Sequence, residues 1–154
     1  MKTAPLIRCI LLGLIFVVFG LNGLWQTKAQ RRPMSYNIPT LLSRNLHDVF
    51  GENDLVRRRA AIDEIFTRDC VFYEPGGHVY RGHDEIDRVA GSLRATHADY
   101  RYQPIGEPEE LGNAGRIRRV EGRSGEEPAV AGTVFIIARE GRIATVYLFF
   151  DKLP

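Results

Sequence analysis

Val71-Phe72-Tyr73-Glu74-Pro75-Gly76-Gly77 sets a carboxylate at the end of an apolar run, directly before a proline and two glycines. Residues 70 to 74 read as a short strand rich in aromatic and β-prone residues, and Pro75-Gly76-Gly77 breaks it into a turn. His78-Val79-Tyr80 is a small strand after that turn. Alternation puts Cys70, Phe72 and Glu74 on one face of the first strand, with Val71 and Tyr73 on the other. Two readings of Glu74 follow. Either the carboxylate meets water and backbone N–H groups at the mouth of the turn, or it faces an enclosed apolar space with Phe72 as one wall. An apolar enclosure disfavours the charged form of a carboxylate, the condition under which it serves as a general acid or base.

Helical spacing dominates on both sides of this unit. Pro39 suits a first helical turn, and Leu42, Leu46, Val49 and Phe50 recur at helical intervals, so residues 39 to 50 read as an amphipathic helix ending at Gly51. Asn53 or Asp54 caps a second helix. Its stripe is Leu55, Arg59, Ile62, Ile65 and Phe66, which leaves Arg57 and Arg58 on a solvated face. A third helix runs from about 83 to 96, with Ile86, Val89, Ala90 and Leu93 on one face and Asp84 and Glu85 at the positive end of its dipole.

The last third changes period. Residues 100 to 103, 116 to 120, 130 to 138 and 143 to 150 alternate as four sheet strands separated by loops rich in Gly, Pro and Glu, and 139 to 142 close the final pair as a hairpin. Helices first and an antiparallel meander last define an α+β domain, a curved, mixed but mainly antiparallel sheet covered by three helices. On the strand at 116 to 121, Ile117, Arg119 and Glu121 share a face. Arg119 and Glu121 are then either a polar pair inside a pocket or part of a solvated strand with cross-strand ion pairs. The final strand carries Tyr147, Phe149 and Asp151 on one face, where they would line the open end of such a pocket.

Composition bounds the function. The chain has 154 residues, 44% of them hydrophobic, enough for one modest domain with an appendage. Its net charge of +2 comes from 21 basic and 19 acidic residues mixed along the chain, which gives no nucleic-acid footprint. Cys9 and Cys70 have no metal or disulfide spacing, and His78 and His83, five apart, lack the i, i+4 spacing of a helical zinc motif. No metal is expected. The absence of a phosphate loop, dinucleotide fingerprint or nucleophile elbow gives no reason to expect a cofactor. His47 and His97 are candidates for a proton carrier in the pocket wall.

Residues 1 to 33 form a hydrophobic leader ahead of the domain at 34 to 154. Lys2 and Arg8 precede an apolar run over residues 9 to 25, and Lys28, Arg31 and Arg32 follow it, so charge selects no orientation across a membrane. Three readings stay open. The run is a membrane helix that associates the protein with a bilayer, an upstream extension of a cytoplasmic protein starting at Met34, or a secretion signal. Residues 8 to 24 resemble the first helix of small DoxX-like membrane proteins, which favours the membrane helix.

The order of helix, helix, short strand ending in an acid before Pro-Gly, Arg81-Gly82-His83-Asp84-Glu85-Ile86 opening the third helix, and four strands with Glu140-Gly141-Arg142-Ile143 at the last hairpin resembles the nuclear-transport-factor-2-like superfamily. Within it, residues 36 to 152 are similar to SnoaL-like domains. The resemblance implies a cone, a bent sheet wrapped around a pocket, in a group that includes ketosteroid isomerases and polyketide cyclases as well as members without catalysis. In the isomerases the acid at the position of Glu74 is the general base. Thr133 falls where they keep a protonated aspartic acid, and no tyrosine stands near residues 44 to 46, where Asn45 is the remaining donor. The function implied is a cofactor-independent isomerase, lyase or cyclase acting on a small hydrophobic carbonyl compound. Glu74 would move the proton and Thr133 or Arg119 would polarise oxygen, in a pocket lined by Phe72, Asn45, His97, Glu121, Tyr147 and Phe149. The alternative is a noncatalytic pocket for an apolar ligand, or an interaction module that dimerises through its sheet.

Overall fold

A computed structural model describes residues 35–151. The leader therefore lies outside the described residues, and with it both the membrane-helix reading of residues 9 to 25 and the DoxX-like resemblance. Among the described residues no helix is long and apolar enough to cross a membrane.

Helix α1 (Ile38–Arg44) starts where the Asn37 side chain accepts from Thr40 N at 3.0 Å, with Pro39 in the first turn, and it continues into a π-helical segment, Asn45–Phe50. Helix α2 (Leu55–Ile65) is capped by Asp54, whose carboxylate accepts from Arg57 N at 2.9 Å. Next come β1 (Phe66–Glu74), β2 (His78–Arg81), α3 (Gly82–Thr96), β3 (Tyr100–Leu111), β4 (Ala114–Arg123), β5 (Val130–Arg139) and β6 (Arg142–Phe150). The six strands form one sheet in the order β2-β1-β6-β5-β4-β3, antiparallel throughout except for the parallel pair β1 and β6. Irregular register in the β1/β6, β3/β4 and β5/β6 pairs bends the sheet. Helix α1 packs against β3 to β5 and α3 against β1 and β2, so the helices cover the concave side. Leu41, Leu42, Leu46 and Val49 meet Ile62, Ile65, Phe66, Ile86 and Ile136 there in one apolar core.

Three local readings need correction. Strand β1 begins at Phe66, immediately after α2, rather than at residue 70, so Phe66 belongs to the sheet and not to the helix stripe. Strand β3 runs on through Pro104 and Pro108, which a sequence reading assigns to a loop; it is an edge strand, and an edge tolerates residues that cannot donate to a ladder. Arg58 is buried rather than solvated. Its Nε meets Asp87 at 2.7 Å and Nη1 meets the Glu52 carbonyl at 3.2 Å, tying α2 to α3.

Candidate functional site

The concave side holds a small cavity of about 50 Å³. The π-helical segment supplies Asn45, Leu46 and Phe50, β1 supplies Phe72 and Glu74, and β4 supplies Arg119 and Glu121. Leu93 of α3, Val134 of β5 and Val146, Leu148 and Phe150 of β6 complete the wall. Eight apolar side chains thus surround four polar ones, the usual balance of a small-molecule site. The π geometry has a direct consequence here. In an α-helix, residues five apart point about 140° away from each other, whereas i→i+5 bonding turns Asn45 and Phe50 toward the same cavity.

Glu74 takes the inward position. Gly76 and Gly77, at φ +95° and +88°, let the chain reverse at once, and β2 pairs back with His78 opposite Glu74 and Tyr80 opposite Phe72. Tyr80 is thereby diagonal to Glu74, and its hydroxyl donates to Glu74 Oε2 at 2.8 Å. That bond, then burial, raises the Tyr80 hydroxyl above its ordinary pKa. Glu74 Oε1 has no hydrogen-bond partner among the described residues, so one oxygen is anchored and the other is free to take a proton. Phe72 packs edge-on to Phe50 at 5.6 Å and against Tyr80 at 5.6 Å, fixing the apolar wall beside the acid.

Arg119 and Glu121 are inside the cavity, not on a solvated strand. Their side chains are 4% and 12% exposed, with Arg119 Nη1 3.1 Å from Glu121 Oε2. The Arg119 guanidinium lies 5.2 Å from the centre of the Tyr102 ring. Burial, reinforced by the Glu121 charge, raises the Tyr102 hydroxyl well above its usual range. Two buried polar atoms are left over among the described residues of this wall, Asn45 Oδ1 and Arg119 Nη1; the latter is close enough to Glu121 for attraction but is not aligned for a hydrogen bond. Buried polar groups in this state cost stability unless a ligand or water satisfies them.

Five expected pocket residues are placed elsewhere. Thr133 faces away from the cavity: the inward set on β5 is Gly132, Val134, Ile136 and Ala138, so Val134 occupies the wall where a donor is expected. Tyr147 and Phe149 are also on the outer face. Simple alternation from buried Ile143 would bring them inside, but β5 and β6 shift register between Ile137 and Ala138, and the extra residue turns Val146, Leu148 and Phe150 inward instead. Tyr147 stacks on Tyr73 at 4.8 Å there, and Phe149 is 56% exposed. His97 ends α3, with Nδ1 2.9 Å from Thr96 Oγ1 and its ring against Tyr100, so Leu93 is the α3 residue in the wall. His47 is exposed, its Nδ1 2.9 Å from the Ser43 carbonyl.

Tyr80 is the contact a sequence reading misses. The signal is present in the tight turn, which places Phe72 and Tyr80 opposite each other and so on one face with Glu74. Cys70, also inward on β1, is fully buried, and desolvation pushes its thiol up to about 11. It is therefore expected to resist alkylation at pH 8 in the folded protein and to react on unfolding, as peptide mass spectrometry after iodoacetamide treatment would show; ready labelling of the native protein would contradict its placement. Among the described residues no group of three or more His, Cys, Asp or Glu side chains could hold a metal ion.

Comparison with known proteins places this geometry. No curated protein sequence matches the chain. A candidate isomerase of the SnoaL-like family from Agrobacterium tumefaciens is 24% identical, with 73% of this chain and 96% of that one covered and a TM-score of 0.68. A candidate polyketide cyclase from Sinorhizobium meliloti is 23% identical over 72% of this chain and 94% of its own, with a TM-score of 0.56. A de novo designed protein with a curved β-sheet also superimposes, at 15% identity, 71% and 81% coverage and a TM-score of 0.55. At such identities the likeness establishes the fold alone, and a fold by itself specifies no activity. The sequence pattern of the SnoaL-like domain matches residues 43–146, a span containing every residue of the cavity wall except Leu148 and Phe150. By that match the chain belongs to the SnoaL-like domain family.

Proposed function

We propose that this protein is a cofactor-independent acid–base catalyst that isomerises, dehydrates or cyclises a small hydrophobic carbonyl compound. The observation that carries the reading is Glu74, with Oε2 held by Tyr80 and Oε1 unpartnered, in the wall of a largely apolar cavity that also contains Arg119. Glu74 takes the proton next to the carbonyl and returns it to another atom. Arg119 stabilises the negative charge that develops on the oxygen, and Asn45 is the second polar group in reach of the cavity. The names of the similar structures, an isomerase and a polyketide cyclase, are compatible with this chemistry.

One observation favours a noncatalytic pocket instead: β5 presents Val134 rather than a donor, so the oxygen-binding side of the cavity is thinly equipped. Deuterium exchange separates the two. In D₂O, a panel of small cyclic ketones and enones should acquire deuterium at the carbon next to the carbonyl in the presence of the protein, with a rate set by Glu74. Ligand-induced thermal stabilisation with no exchange above background anywhere in the panel would decide for the binding module.

The dimer belongs to the same proposal. The outer sheet face with Tyr73, Phe135, Tyr147 and the exposed Phe149 is the surface through which two copies would join. Native mass spectrometry should give twice the chain mass, and Phe149→Glu should return the monomer; a monomeric wild-type protein would rule the dimer out.

A further inference from the structure

Toward the opposite end of β1 from Glu74, arginines from four elements converge on one groove: Arg59 of α2, Arg68 of β1, Arg81 at the end of β2 and Arg142 at the start of β6. Gly82, His83 and Asp84, the first turn of α3, complete the lining together with Asp63, and the open groove has a volume of about 720 Å³. It shares no residue with the Glu74 cavity. Arg68 stands six residues before Glu74, about 20 Å along an extended strand.

The charges in the groove do not cancel. Arg59 is held by Asp63 at 3.1 Å and Asp84 at 2.6 Å, and His83 reaches Asp63 at 2.8 Å and the Thr67 carbonyl at 3.1 Å. The side chains of Arg68, Arg81 and Arg142 make no ion pair or hydrogen bond among the described residues. The Nε of Arg142 is buried without a partner; Glu64 is near enough to feel the Arg142 charge but is already bound by Arg44 and Tyr36. Four arginines against two aspartates leave an excess of two positive charges. The N-terminus of α3 adds to it. This 15-residue helix has no capping hydrogen bond from the side chain before it, and its positive end lies at the groove wall.

The fold gains nothing from crowding three unpaired guanidinium groups together, and a buried unpartnered N–H carries a cost. An anion removes both penalties. We propose that this groove binds a phosphate dianion, either free or as the monoester group of a small metabolite. Guanidinium groups match the paired oxygens of phosphate in a way a lone ammonium does not, and a helix N-terminus supplies backbone donors of the same polarity.

The test is titration calorimetry of the full-length chain with inorganic phosphate and with phenyl phosphate at low ionic strength, where such a site is least screened. Saturable binding is expected, weakened about tenfold or more by Arg81→Gln and by Arg142→Gln. Arg116→Gln, at an exposed arginine paired with Glu109 away from the groove, should leave it unchanged. Binding of inorganic phosphate identifies the free ion as sufficient, and binding of phenyl phosphate alone identifies a monoester. If Arg142→Gln fails to fold, the exposed Arg68→Gln and Arg81→Gln carry the same expectation. No saturable binding of either probe, binding indifferent to the groove arginines, or an equal loss in Arg116→Gln would overturn the proposal.

Discussion

Glu74→Gln is expected to slow proton transfer to and from a carbonyl substrate by about 10²- to 10⁴-fold, the span attributed to a positioned general acid or base, with no loss of folded protein. Glutamine keeps the shape of the side chain and retains an oxygen that can accept the Tyr80 hydroxyl now bound at 2.8 Å, so the wall of the cavity survives. What disappears is the basic oxygen. Tyr80→Phe tests the geometry separately: it leaves the carboxylate in place and removes only the bond that orients it, so its loss should be smaller than that of Glu74→Gln. Deuterium incorporation followed by NMR reads both variants against wild type. Equal exchange rates in wild type and Glu74→Gln would take this residue out of the mechanism.

Arg119→Leu should lower stability by about 3–5 kcal/mol, because it leaves the Glu121 carboxylate buried without its counter-charge. Glu121 is only 12% exposed, and Arg119 Nη1 at 3.1 Å is its sole ion-pair partner among the described residues. The double variant Arg119→Leu/Glu121→Leu is expected to recover much of the loss, since two apolar side chains in an already apolar wall leave no charge to solvate. Urea denaturation of the three proteins measures the difference. A single variant within about 1 kcal/mol of wild type would show that water reaches Glu121 and that the pair behaves like a surface ion pair.

Much of this architecture is legible in the order of the residues. The three helices follow from apolar spacing, with Pro39, Gly51 and Asp54 marking the ends of the first two, and the meander follows from the change to alternation after residue 100. Alternation also places Glu74 beside Phe72, and Arg119 and Glu121 on the face of Ile117, because none of these local counts crosses a bulge. Arg58 is different. Its neighbours in sequence are solvated, and only Asp87, 29 residues away on α3, makes its burial tolerable.

Residue order alone is enough for the class of fold, the family resemblance and the shared face of Glu74 and Phe72, since each depends on periods that one strand or helix sets without help from its neighbours; that this face looks into a cavity is decided by the packing. Tertiary packing selects which other residues join that acid. One extra residue in the β5–β6 pairing exchanges Tyr147 and Phe149 for Val146, Leu148 and Phe150, and the π-helical segment turns Asn45 toward the cavity together with Phe50. Packing also brings Arg59, Arg68, Arg81 and Arg142 to one groove from four separate elements. A register shift and a widened helical turn are choices made by the packing of the whole domain, and the local pattern is compatible with either outcome.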